Sequence, residues 1–194
     1  MPVHAILSGG IGSGKTTAAS VFSDLGAHVI SADHAGHQVL EPGGAAHDDV
    51  AATWPEVVSE DGHIDRPALA VVVFGDPAAL ALLESFTHPA IAAVVEREIA
   101  ELEGDPPLVL VEVPLLISIV GEGWPRIVVD APDETRRARL RARDMDDADI
   151  ERRMAAQPGR AEWLASADHV LDNGGDLATL AGEVERVWKA LLDS

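Results

Sequence analysis

Apolar and polar positions alternate in blocks along this chain. Val3–Leu7 is a short, mostly apolar run ending against glycines, the pattern of a buried parallel strand. Lys15–Leu25 has apolar residues at helical spacing and closes on Gly26, a helix-ending residue. Ala27–Ile30 is a second strand, and Asp33–Leu40 is a helix that stops before Pro42. Gly43–Gly44 is a break. Short helices are predicted over 45–53 and 66–74, and a longer amphipathic helix over His88–Leu102. After the loop Asp105-Pro106-Pro107, Leu108–Val113 is apolar except for Glu112, and Pro114 ends it. Arg126–Asp130 is a fourth strand. Asp133–Arg143 and Ala148–Gln157 are helical, joined by the acidic stretch Asp144–Asp149. His169–Leu171 is the last strand, Asn173–Gly175 a turn, and Leu177–Leu192 the closing helix.

Strands alternating with helices imply an α/β fold: a five-stranded parallel sheet with helices on both faces, in three layers. A length of 194 residues accommodates one core of about 150 residues plus inserted elements. A single domain is expected, with its core at about 1–34, 106–132 and 167–194. The mostly helical stretch 35–105 is too long for a simple crossover and reads as an accessory subdomain. The arginine-rich helices within 133–166 read as a lid. No internal repeat or low-complexity linker is present.

Composition narrows the class. A hydrophobic fraction of 47% fits a folded globule, and the lack of cysteine excludes disulfides and thiolate zinc sites. No uninterrupted apolar run reaches the roughly 18–20 residues of a membrane span, and the start lacks a signal peptide's basic and small-residue flanks. A cytoplasmic protein is expected. The eight histidines show no convincing zinc-ligand spacing. A net charge of -19 repels nucleic acid and anionic membranes, so neither is expected as a partner. The chain is expected to act as a monomer or weak homo-oligomer. The same charge repels phosphate ligands, so a phosphate site needs concentrated positive groups. There are two lysines, Lys15 and Lys189, and eight of the twelve arginines fall between Arg136 and Arg160.

Gly9, Gly14, Lys15 and Thr16 match G-x-x-x-x-G-K-[ST]. Those four positions match by chance in roughly one chain of this size in a hundred. Glycines allow a tight turn whose N–H groups point inward at phosphates, and the following helix adds its positive end. Gly10, Ile11, Gly12, Ser13, Gly14, Lys15, Thr16 and Thr17 are therefore the candidate ATP-phosphate contacts, with Lys15 reaching the β- and γ-phosphates and Thr16 a ligand of Mg²⁺. A GTPase would need Asn-Lys-x-Asp, which is absent, and a motor needs more chain. A compact small-molecule kinase remains.

Asp33 follows the second strand at the carboxyl edge of the sheet, where ligands bind in open α/β folds. It either takes the proton from an attacking hydroxyl or organises Mg²⁺-bound water, or it caps the 33–40 helix. Glu112 either faces the metal from the end of its strand or sits in a buried ion pair. Arg139, Arg143, Arg153 and Arg160 either neutralise charge during transfer or pair with the acids at 144–151. His88-Pro89 reads as the opening of the long helix.

Six segments in order resemble the dephospho-CoA kinase family. They are LSGGIGSGKTT at the start, SADHAGHQVLEPG (31–43), THPAI (87–91), LVEVPLL (110–116), RLRARD (139–144) with RRMAAQ (152–157), and ADHVLDNGG (167–175). The resemblance runs from about residue 4 to 190. It implies ATP-dependent phosphorylation of the ribose 3′-hydroxyl of dephospho-CoA, the last step of coenzyme A synthesis, with Mg²⁺. It implies Asp33 as the base, Arg139 and Arg143 as lid arginines acting with Lys15, and Asn173 near the adenine of ATP. Thr16 and Glu112 are implied for the metal. Acceptor contacts are implied for Asp33, His37, His88, Pro114 and Leu115, with the 35–105 segment holding the acceptor. The chain departs from the usual family residues at His37, Ser118 and Trp163. A nucleoside or other small-metabolite kinase, or a nucleotide switch without transfer, are the alternative readings.

Overall fold

The computed structural model describes residues 2–114, 116, 121 and 123–193. They form two compact units, residues 1–31 with 102–194 and residues 32–101. The first unit holds the sheet: β1 (Val3–Ser8), β2 (His28–Ser31), β3 (Leu108–Glu112), β4 (Arg126–Asp130) and β5 (His169–Asp172). All paired strands are parallel, in the order β2-β3-β1-β4-β5.

The near-continuous apolar character of the strands reflects cover on both faces. Ala5, Leu7, Leu108, Leu110 and Ile127 pack in one cluster with Phe22 of α1 (Lys15–Asp24) and Leu180, Val184 and Leu191 of the C-terminal helix, Leu177–Leu192. The alternate residues Ile6, Val109, Val111 and Val128 point the other way and are equally buried. The C-terminal helix is started by Asp176, which accepts the Thr179 N–H at 2.9 Å. Its apolar residues recur at three- and four-residue intervals toward the sheet.

The unit 32–101 contains α2 (Ala32–Gln38), α3 (His47–Thr53), a 3₁₀ turn at Pro55–Val57, α4 (Arg66–Phe74) and α5 (Pro77–Ala100). Val50, Trp54, Val57, Ile64, Leu69 and Val73 make its own core. The long helix begins eleven residues before His88. Asp76 accepts the Ala78 N–H at 2.8 Å and Pro77 occupies the first turn, a strong start signal that the sequence reading passed over for Pro89. Pro89 lies inside α5, where it removes one helix donor without ending the helix. By length and hydropathy α5 is apolar enough to cross a membrane. It carries Glu84, His88 and Pro89 along its length, and it buries Thr87, Ala90, Ile91 and Val95 while packing on α2, α3 and α4. Asp33 falls within the first turn of α2, one residue past its start, so it does not cap that helix.

In the first unit, α6 (Asp133–Arg141), α7 (Asp147–Ala155) and α8 (Arg160–Ala165) follow β4, and the C-terminal helix is α9. α8 was not separated from its neighbours in the sequence pattern; Gly159 and the Glu162 carboxylate, which accepts the Gly159 N–H at 2.8 Å, start it.

His47 ties α3 to the turn at Ser59–Gly62. One ring nitrogen is 2.9 Å from an Asp48 carboxylate oxygen and the other 2.8 Å from the Gly62 carbonyl. Both partners are acceptors, so the doubly protonated ring suits the site. The Asp48 hydrogen bond, then that of Gly62, raises its pKa above the ordinary value. Stability from this contact is therefore full below the ordinary histidine pKa and is lost as pH rises through the raised folded value. Denaturation midpoints measured between about pH 6 and pH 9 are expected to fall more for wild type than for His47→Gln. Equal slopes for the two proteins would remove this assignment.

Candidate active site

Because the strands are parallel, their carboxyl ends share one edge. Leu7 of β1 and Ser31 of β2 both stand level with Glu112 of β3, and Asp130 of β4 stands level with Asp172 of β5. The glycine loop leaves β1 at this edge and runs into α1. Glu112 is half-buried at the end of β3 and engaged in contacts there.

The loop's geometry is that of an anion cradle. The first N–H groups of a helix have no partner inside it. Among the described residues, the N–H groups of Gly12, Gly14, Thr16 and Thr17 donate to no protein acceptor. Gly14 sits at the start of α1 with φ 100°, a left-handed conformation. A Cβ there would lie 2.1 Å from the Asn173 amide nitrogen, so space and backbone both demand glycine. The Lys15 ammonium lies 2.9 Å from the Gly9 carbonyl, folded over the loop. Thr16 and Thr17 are exposed on the first turn of α1.

Asn173 and Arg139 brace the loop's far end. The Asn173 amide donates to the Ser13 carbonyl at 2.7 Å, and the Arg139 guanidinium donates to the same carbonyl at 3.1 Å and to the Asn173 carbonyl at 2.9 Å. A cleft of about 340 Å³ opens beside them, lined among others by Gly14, Thr17, Arg139, Arg143, Asn173 and Leu177. Arg143 is exposed on this cleft. The predicted ATP contacts in the loop, Asn173, Arg139 and Arg143 thus come together in one place.

Four further arginines are committed elsewhere. Arg160 forks onto Asp130 at 2.8 and 2.6 Å, and that carboxylate raises the guanidinium's pKa further. Arg153 donates to Asp149 at 2.9 Å, Arg141 to Asp147 at 2.6 Å and Arg137 to Glu151 at 2.6 Å. For Arg153 and Arg160 the reading as paired surface charge is therefore the observed one, although Arg160's partner is Asp130 rather than an acid at 144–151. Trp163, one of the departures from the usual family residues, is 2% exposed and packs as core, lining a small cavity behind the loop with Gly10, Ser13, Arg136 and Arg160.

Within the unit 32–101, the Asp33 carboxylate is 69% exposed and 3.5 Å from the His37 ring nitrogen, one helical turn on. His88 is half-buried in mid-α5, and Pro114 follows the end of β3. Leu115 and Ser118 lie outside the described residues.

Two residues that contact the loop were missed. Arg136 donates to the Ile11 carbonyl at 2.8 Å, and the Ile11 N–H donates to the Gln157 side-chain carbonyl at 2.7 Å. The available signal was the spacing of Asp133, Arg136 and Leu140 on one face of α6, of which Arg136 and Leu140 are buried.

Comparison with known proteins agrees with this geometry. The family model for dephospho-CoA kinase matches residues 4–179. A dephospho-CoA kinase from Aromatoleum aromaticum is 41% identical over 186 residues, 93% of this chain and 90% of that protein. One from Leifsonia xyli is 39% identical over 191 residues, 95% of this chain and 96% of that protein. Among solved structures, TT1252 from Thermus thermophilus superposes with a TM-score of 0.83 at 33% identity, covering 99% of this chain and 97% of that one.

Asn173→Ala removes a buried donor from the Ser13 carbonyl. It is expected to destabilise the protein by about 1–2 kcal/mol in urea denaturation and to weaken nucleotide binding in the same preparation. An unchanged denaturation midpoint would show that Arg139 alone suffices to hold that carbonyl.

Proposed function

This chain belongs to the dephospho-CoA kinase family, and we propose that it transfers the γ-phosphoryl group of ATP to the ribose 3′-hydroxyl of dephospho-CoA, giving coenzyme A and ADP. The observation that carries the reading is the set of N–H groups at Gly12, Gly14, Thr16 and Thr17, unmatched among the described residues and clustered at the start of α1 beside Lys15. Such a cradle suits the β- and γ-phosphates of a nucleotide. The cleft bounded by Asn173 and Leu177 adjoins it and suits the base and ribose of ATP.

In this reading the bond from the γ-phosphorus to the β,γ-bridging oxygen breaks as the 3′-oxygen bonds to phosphorus. The hydroxyl proton passes to the Asp33 carboxylate, and ADP leaves with the bridging oxygen. Phosphoryl transfer asks the protein mainly for positioning and for charge opposite the transferring group. Lys15, Arg139 and Arg143 are the cations that supply it. The hydroxyl of Thr16 and the carboxylate of Glu112 are hard oxygen donors of the kind Mg²⁺ takes alongside phosphate and water. Held by Thr16 and Glu112, Mg²⁺ would supply charge neutralisation at the β- and γ-phosphates. His37 stands one turn from Asp33 and is the candidate to orient that carboxylate or to touch the acceptor. His88, Pro114 and Leu115 remain candidate acceptor contacts.

A coupled assay for ADP tests the reading. Turnover is expected with dephospho-CoA and not with a panel of nucleosides; the reverse result, or no ADP with any acceptor, would replace it with one of the alternatives. Asp33→Asn is expected to lower kcat by at least about 100-fold while ATP affinity stays within about twofold. A chelator is expected to abolish turnover, and added Mg²⁺ to restore it.

A further inference from the structure

The loop is gripped at Ile11 from both sides of its backbone. The Ile11 carbonyl accepts from Nε of Arg136 at 2.8 Å, and the Ile11 N–H donates to Oε1 of Gln157 at 2.7 Å. The two side chains come from the first turn of α6 and from the bend just after α7. Among the described residues from Gly9 to Gly14, no other has both its backbone groups held by side chains.

Arg136 is fixed in turn. Its side chain is 6% exposed, and its guanidinium lies 3.1 Å from the Asp133 carboxylate one turn earlier. It covers Gly10 so closely that a Cβ there would lie 2.4 Å from its Nη2. The Arg136 carbonyl and the Leu140 side chain crowd Gly12 in the same way, at 2.9 and 3.1 Å from where its Cβ would be. A buried guanidinium persists only where its donors are satisfied, and here the loop itself is one of the acceptors. α6 thus contacts three successive loop residues, Gly10, Ile11 and Gly12.

There is a division of labour along the loop. Ile11 spends its N–H and its carbonyl on the protein, whereas the next residue, Gly12, keeps its N–H unmatched. A loop with this many glycines has a large conformational entropy when unrestrained, and any ordering left to the ligand lowers affinity. We propose that Arg136 is a positioning residue: with Gln157 it clamps Ile11 so that the neighbouring N–H groups converge before ATP arrives. The proposal rests on the reading of the loop as the phosphate cradle for ATP.

The side chains allow a sharp test. Glutamine carries an N–H donor at the same distance along the side chain as Nε of arginine, and methionine has the same reach with no donor. ATP binding with Mg²⁺ is measured by calorimetry, with kcat and KM in parallel and thermal melting as a check. Arg136→Met is expected to raise Kd and KM for ATP about tenfold, with kcat at saturating ATP changed by less than about threefold. Arg136→Gln is expected to restore ATP affinity to within about threefold of wild type. Gln157→Met is expected to weaken ATP about as much, and the double variant by less than the product of the two. Gln157→Met carries the test alone if Arg136→Met does not fold. Wild-type ATP affinity in both Arg136→Met and Gln157→Met overturns the clamp. So does Arg136→Gln matching Arg136→Met in a lowered melting temperature and in affinity, which would make Arg136 a packing residue. A wild-type protein that does not bind ATP sinks the cradle reading itself, and the clamp with it.

Discussion

Backbone N–H groups that a helix cannot satisfy for itself are the constraint on which this site turns. α1 must leave its first donors unmatched, and the left-handed Gly14 lets the chain enter that helix from a loop with further unmatched donors at Gly12 and Gly14. The parallel sheet then sets what stands nearby. With every strand running the same way, Glu112, Asp130, Asp172 and the start of the loop necessarily share one edge. The cradle is an outcome of helix geometry placed at a sheet edge, and the side chains around it adjust its shape and charge.

Charge is the second constraint. A chain of net charge -19 must hold an anion using few cations. Much of the acid is absorbed locally. Asp65, Asp76, Asp146 and Asp176 each start a helix by accepting a backbone N–H. Asp149, Asp147, Glu151 and Asp130 each hold an arginine. Each pair has at least one exposed member, so each adds little stability by itself. Their effect is to withdraw Arg137, Arg141, Arg153 and Arg160 from the phosphate, while Lys15 stands at the loop, Arg139 and Arg143 at its cleft, and Arg136 behind the loop.

Arg139 and Arg136, three residues apart on α6, do different work. Arg139 reaches the Ser13 carbonyl and Asn173 at the mouth of the cleft, and Arg136 lies behind the loop against Gly10 and Ile11. One helix thereby supports the loop at both its ends. Trp163 adds apolar packing behind Ser13 from α8, so the loop rests on a wall built from the segment 133–165.

The sequence by itself determined the elements and the family. Strands buried on both faces are apolar in a continuous run, amphipathic helices repeat at 3.6 residues, and the Gly-Lys-Thr loop is a local motif, so each is written in neighbouring residues. Local signals can be ambiguous: Pro89 resembles a helix start, yet α5 starts at Asp76-Pro77, because a proline is tolerated inside a helix that is packed on three others. Tertiary structure alone decided which arginines face the cleft and which are spent on acids. Arg136, Arg139 and Arg160 look alike in the sequence. Their roles depend on contacts with residues 11, 13 and 130, and contacts across such separations come from the packing of whole elements, which no local pattern encodes.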